Sequence, residues 1–435
     1  MAKSPSIDNI KLEVIEFQSS DVEIKLGGVM TATSDSSPID IKIGGTPTTN
    51  NKKPKIESLW CNLPGNVVIS IIERLCYVDQ IYFRAVCKDW RSQIYGLVRY
   101  SDNFPWIFAA VSKEDAVSPK FVSISKQCYL YDPIYKQKYT IENQILDGAQ
   151  IHASKFGWLL LSRNIKSTYL FSFYSPFTNK IIELPALHME ISTGKIFWNA
   201  MATFSTAPTS SDCVLCVVSI EPPKQDIQPL YFEEFCVSTC CSGGGKTWNN
   251  VLLGTNGYKY DAWISLIAHV NGVFYFIFNE MDSIRAVLGA FKPGLQEWKA
   301  YPCPRIRFCD MDCLIESEDD ENLLMLYYDN DDNETWHVLQ FNEAEKNWCE
   351  LENLGNRMLF MSDTSTSLQL AASEKEEEEE DGEGMGSFAN SIHVAYITYY
   401  PQLGCSSLFY KTVPDNYHAI IKSNLSCASE LSTFC

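Results

Sequence analysis

No run of eighteen apolar residues occurs in the chain, so no helix is expected to cross a bilayer. The segment Met1 to Gln18 carries charged residues without an apolar core, so no secretory leader is expected. Basic residues are in deficit: 35 Lys+Arg stand against 54 Asp+Glu, for a net charge of −19. Binding by counterion release needs basic stripes, so nucleic acid and anionic membrane are excluded as main partners. Histidine is scarce. The six (His152, His188, His269, His337, His393, His418) stand singly, none at ligand spacing to a cysteine or to another histidine. No GxSxG elbow and no HExxH pair occur. Most carboxylates fall in solvated runs, where a catalytic pKa shift has no cause. No catalytic residue, cofactor or metal is therefore expected.

Three partial motifs fail on inspection. Gly243 to Thr247 has the end of a phosphate-binding loop, but Cys240 stands where its first glycine is required, and no apolar helix follows. Asp329 to Asn333 resembles the start of a calcium loop, yet Glu334 replaces the turn glycine and Gln340 the final glutamate. Cys213 and Cys216 have CxxC spacing within an apolar strand, where residues three apart point to opposite faces and cannot easily share a metal. The 16 cysteines read as reduced, mostly buried thiols of a protein in the cytoplasm and/or nucleus.

What is present is length, aromatics and localised acid. The 435 residues allow one to three domains, and 46% hydrophobic content supports a sizeable core. The 23 Phe, 22 Tyr and 10 Trp favour strands. Glu374 to Glu383 holds eight acids and one lysine, and Glu316 to Glu334 nine acids and no base, leaving only −3 of the −19 elsewhere. The first run opens an acidic insertion, 374–386, and both runs read as solvated loop tips.

Three regions follow from composition. Residues 1–55 are polar and read as a disordered arm. Two brief strand-like echoes lie there, Val22 to Gly28 and Ile39 to Gly45, and Lys52 to Lys55 reads as a solvated linker rather than a nuclear signal. Residues 58–99 form a small all-α unit. Pro64 suits a helix start, and Val67, Val68, Ile71, Ile72 and Leu75 share one helical face. Asp79 can cap a second helix on which Phe83, Val86, Cys87 and Trp90 line up. Some 40 residues make a weak core, so the unit should pack on something else.

Residues 105–420 read as all-β. Apolar runs recur at Phe121–Ile124, Trp158–Leu161, Tyr169–Tyr174, Cys213–Ile220, Val273–Phe278, Leu323–Tyr328 and Ile392–Tyr399. A loose repeat, strand then turn then strand, appears at Leu130–Tyr139, Phe173–Pro185, Ala290–Trp298 and Leu339–Trp348. Hairpins open at matching places, Lys155–Trp158 and Val270–Val273. That spacing predicts a β-propeller of about six blades.

The helical unit carries a family resemblance. Leu63, Pro64, Val67, Ile71, Leu75, Val78 and Asp79, followed by the run Phe83 to Ser92 (FRAVCKDWRS), closely resemble an F-box. The resemblance implies docking on the Skp adaptor of a cullin-RING (SCF) ubiquitin ligase, and through it on cullin. Leu63, Pro64, Val67, Ile71, Leu75, Val86 and Trp90 would then supply docking contacts or the local core.

The remainder looks like plant F-box proteins with a C-terminal β-propeller, long called a domain of unknown function and F-box/kelch-like. The likeness rests on Tyr131–Pro133, Ser175–Pro176, Gly245–Trp248, Asn271–Tyr275 and above all Trp348–Phe360. The chain departs from that pattern by the acidic insertion after Ser373, by Ile392–Tyr396 and by the long N-terminal arm. The implied function is a non-catalytic substrate receptor whose propeller binds an unidentified target protein. The alternatives are a non-ligase scaffold and a small-ligand-binding propeller, the latter requiring convergent polar groups at the propeller centre.

Overall fold

The structure is a computed structural model that describes residues 10–15, 31–32, 63–72, 74, 75, 80, 83 and 90, most of 105–370, and 391–400, 405–413 and 431–434. Within 105–370, the segments 113–122, 133–136, 166–167, 190–197, 221–230, 233, 243–246, 256–259, 281–284, 306–312, 318–321, 330–334 and 362–365 lie outside the description. Both expected strand echoes, Lys52–Lys55, Val86 and the insertion 374–386 lie outside it too. The chain divides into two compact units: residues 19–21 and 32–102 form one, and residues 1–18, 22–31 and 103–435 the other.

The larger unit is a β-propeller, as the repeat predicts. Its described strands form six sheets of four or five strands. The third sheet is typical: Trp198–Phe204, Val214–Ile220, Glu234–Cys241 and Asn249–Gly254 pair in order, each antiparallel to the next. The sixth is the exception, because Arg357–Met361 pairs with Ser391–Tyr400 in parallel. One strand of each successive sheet lies beside a strand of the next: Gln150–Lys155 against Trp198–Phe204, then Tyr260–Val270, Cys313–Ser317 and Thr366–Leu370. Ile10–Ile15 touches both Gln150–Lys155 and the sixth sheet, so these strands surround a common axis.

Stacking the sheets buries both faces of the strands, which is why their sequences read as continuous apolar runs rather than alternating ones. In the third sheet, Leu215, Val217 and Cys236 pack with Leu160, Phe171 and Phe173 of the second. On the opposite face, Val218, Phe235 and Val237 pack with Phe274, Phe276 and Phe278 of the fourth. Cys213 belongs to the first of these layers and Cys216 to the second, so the CxxC pair is divided between two faces, as its spacing predicts.

The repeat is a turn with a fixed length. Ser175 pairs with Lys180, Lys292 with Glu297 and Asn342 with Asn347, so each turn holds four residues. Its last residue takes the left-handed conformation in each case: Asn179 at φ 54°, Gln296 at 53° and Lys346 at 57°. Just before each turn a buried aromatic, Tyr174, Phe291 or Phe341, anchors the strand. The matching hairpins are two-residue turns with both φ values positive, Phe156 (55°) with Gly157 (74°) and Asn271 (51°) with Gly272 (74°). This type I′ geometry matches the twist of the flanking strands.

Two expectations are corrected. Ile10–Ile15, placed by composition in a disordered arm, is a strand paired antiparallel with Trp106–Ser112 over its whole length. Its partner edge lies more than 90 residues away, beyond any local pattern. At the other end, Leu431–Phe434 joins the sixth sheet, so the β unit extends past residue 420.

Candidate functional site

The smaller unit begins with helix Gly65–Ile72. Pro64 stands just ahead of it, where its missing N–H costs nothing. Its carbonyl accepts from the backbone N–H of Val67 (2.9 Å) and Val68 (3.1 Å), opening the first turn. The helix closes as Arg74 and Leu75 donate to the carbonyls of Ile71 and Ile72, and Gln80 Nε2 donates to the Leu75 carbonyl at 2.9 Å.

The core of this unit is small. Val68, Ile72, Phe83 and Trp90 are buried together, with Leu63, Ile71 and Leu75 packed partly against them. Phe83 and Trp90 sit seven residues apart in helical conformation, and their rings stack at 4.2 Å and 16°. Trp90 is therefore packed inside the unit rather than offered as a docking residue. Val67 faces the other way and is 38% exposed, and Pro64 is exposed beside it. The helical face read from sequence is thus split: Val68 and Ile72 face inward and Val67 outward, with Leu63, Ile71 and Leu75 between.

The propeller holds a second cluster. Lys155, at the end of the second sheet's first strand, places Nζ 2.8 and 2.9 Å from the two carboxylate oxygens of Glu316, in the fifth sheet's first strand. Lys155 Nζ also donates to the Phe204 carbonyl at 2.5 Å, and the His269 backbone N–H donates to Glu316 Oε1 at 2.7 Å. The Lys155 and Glu316 side chains keep only 14% and 16% of their exposure.

Polar groups thus converge near the axis, the arrangement that the small-ligand alternative requires. They satisfy one another, however, and no group of three metal-ligating side chains occurs among the described residues. Glu316, counted in an acidic run of loop-tip character, is instead a largely enclosed strand residue. One signal in the sequence pointed to the cluster: Lys155 occupies the place that Val270 fills in the matching hairpin, a charge where the repeat wants an apolar group.

His269 lies beside this pair, its ring 4.7 Å from that of Phe274. Burial, with the nearby Lys155 charge adding to it, lowers its pKa from 6.5 to about 4. Above pH 6.5 the imidazole is neutral in folded and unfolded chains alike. Between 6.5 and 4 only the unfolded chain gains the proton, so stability falls as pH falls through that window. The full loss is about 3 kcal/mol. Unfolding free energies of the parent and of His269→Phe, measured across this window, should converge as pH falls. Parallel pH profiles would show that the ring protonates freely in the folded state. The buried thiols are held neutral in the same way: burial pushes Cys303 up to about 12 and Cys128 and Cys216 higher still.

A ring of stacked sheets whose chain is interrupted by a small helical unit defines the class, a propeller protein with an inserted helical module. Residues 60–102 match the F-box domain, and residues 121–381, more than half of the chain, match the KIB1-4 beta-propeller. The chain belongs to the KIB1-4 β-propeller family and carries an F-box. It is 26% identical over 318 residues to the F-box/kelch-repeat protein At1g57790 of Arabidopsis thaliana, covering 71% of this chain and 78% of that protein. It is likewise 26% identical over 306 residues to the F-box protein At3g56470 of Arabidopsis thaliana, covering 70% of this chain and 73% of that one. Among solved structures, the Dos1 propeller aligns with a TM-score of 0.31 and 9% identity over 77% of this chain and 68% of its own, too loosely to inform function.

Proposed function

We propose that this chain is the substrate-recognition subunit of a Skp–cullin–F-box ubiquitin ligase. Its F-box docks the Skp-type adaptor, and its propeller binds the target protein. The observation that carries this reading is the apolar surplus of the helical unit. Among its described residues four make the core, while Val67 is left exposed and Leu63, Ile71 and Leu75 only half covered. Such a face gains by covering itself with a partner groove. The subunit contributes proximity rather than bond chemistry, raising the target's effective concentration near the conjugating enzyme. We also read the six sheets as six blades, with Ile10–Ile15 bridging the first and the sixth. The small-ligand alternative has only the axial cluster to offer, and those groups are already taken by one another.

Replacing Leu63 and Pro64 together by alanine should abolish co-purification with the Skp adaptor while leaving the thermal transition of the propeller in place. The Pro64 carbonyl that opens the helix survives this change, so the loss reports on the docking face. Undiminished adaptor capture by the folded double variant would remove the basis for the reading.

A further inference from the structure

Gln150–Lys155 and Cys313–Ser317 belong to the second and fifth sheets, and Trp198–Phe204 and Tyr260–Val270 of the third and fourth stand between them around the ring. Lys155 and Glu316 nevertheless meet, so their side chains reach across the axis rather than along its wall. The ammonium group uses its donors on both Glu316 oxygens and on the Phe204 carbonyl, at the end of the third sheet's first strand. The carboxylate in turn holds the His269 N–H, near the end of Tyr260–Val270 in the fourth sheet. One ion pair thus touches four consecutive sheets at the same end of the ring.

We infer that Lys155 and Glu316 form a cross-axis staple that makes the second to fifth sheets open as one cooperative unit. The apolar layers join each sheet only to its neighbours, in the manner of a one-dimensional stack. The staple joins sheets that are not neighbours. A sheet that tilts outward must give up charge-assisted hydrogen bonds belonging to the other three, so local opening becomes collective opening. The pair is mostly withdrawn from water, and removing one partner strands the other without compensation. Removing both charges strands neither, provided an acceptor for the His269 N–H is kept.

The test uses the full-length chain with Lys155→Met, Glu316→Gln, and the double variant Lys155→Met/Glu316→Gln, which keeps an acceptor for the His269 N–H. Each single variant should lower the melting temperature by on the order of 5 °C or more, and the double variant should recover most of that loss. Hydrogen exchange in the single variants should quicken together at 150–155, 198–204, 260–270 and 313–317. Additive melting shifts, or exchange that quickens only in the substituted strand, would overturn the staple and leave an ordinary local ion pair. If Lys155→Met does not fold, Glu316→Gln decides alone, since it keeps the shape and an acceptor for the His269 N–H, and collective exchange remains its readout. Adaptor docking plays no part in this inference, and neither result bears on it.

Discussion

Replacing Trp90 by alanine should unfold the F-box unit and abolish adaptor capture. The ring is one of four buried side chains among the unit's described residues and the stacking partner of Phe83 at 4.2 Å. Truncating a buried tryptophan costs about 3–5 kcal/mol. A unit this small seldom holds more than about 3–5 kcal/mol in reserve. The loss therefore matches the whole stability of the unit, and the change acts through folding rather than through the docking surface. Val67→Asp provides the contrast. Val67 is 38% exposed, so a charge there should cost the fold little, yet it places a solvated carboxylate on the face meant for an apolar groove. Limited proteolysis within 60–102, run beside adaptor capture, separates the two mechanisms. Trp90→Ala should be cut and not captured, whereas Val67→Asp should be intact and not captured. A protease-resistant Trp90→Ala chain that still binds would mean that the four-residue core is not what holds the unit.

In the propeller, Gly289→Ala should destabilise by about 1–3 kcal/mol, and Gly289→Val by more. Backbone conformation is not the reason, because Gly289 sits in an ordinary strand, Arg285–Lys292. Space is. Gly289 pairs across the strands with Phe276, and a Cβ added to it would lie 2.1 Å from Phe276 Cε2. That ring is fully buried and cannot swing aside easily, with Phe278 at 5.1 Å and Phe235 at 5.7 Å between centroids. The layer between the third and fourth sheets is crowded with phenylalanine, and the glycine is the vacancy that admits one of them. Urea midpoints should show the loss in the parent chain. In a Phe276→Ala background the same glycine substitution should cost almost nothing. An equal cost in both backgrounds would place the strain elsewhere.

What could be read in the sequence was what is local. The F-box residues from Leu63 to Ser92 identify themselves by type and spacing within one short segment. The four-residue turns after Tyr174, Phe291 and Phe341 do the same, because a buried aromatic followed by a fixed-length turn is a local pattern that repeats. What could not be read depends on distant partners. The Lys155–Glu316 pair joins residues 161 positions apart, and no periodicity encodes it. Trp90 has the residue type of a docking anchor and of a core residue alike, and only the stacked Phe83 ring separates the two roles. Ile10–Ile15 alternates apolar and charged residues just as a solvated tail can, and becomes a strand only because the edge at Trp106–Ser112 pairs with it.

That last strand alters how the molecule can be taken apart. In chain order the F-box lies between two adjacent strands of a single sheet, Ile10–Ile15 and Trp106–Ser112, so the propeller begins, pauses for the F-box, and resumes. Cutting the chain from its N-terminus to remove the F-box would also strip a whole strand from the first sheet and bare the edge of Trp106–Ser112, a template for aggregation. A chain without its F-box is better made by excision, rejoining it after Ala32, so that Thr31–Ala32 stays in the first sheet, through a linker to a point before Trp106. Any shortened form of this protein that lacks its first residues should be suspected of a damaged propeller before it is credited with a lost partner.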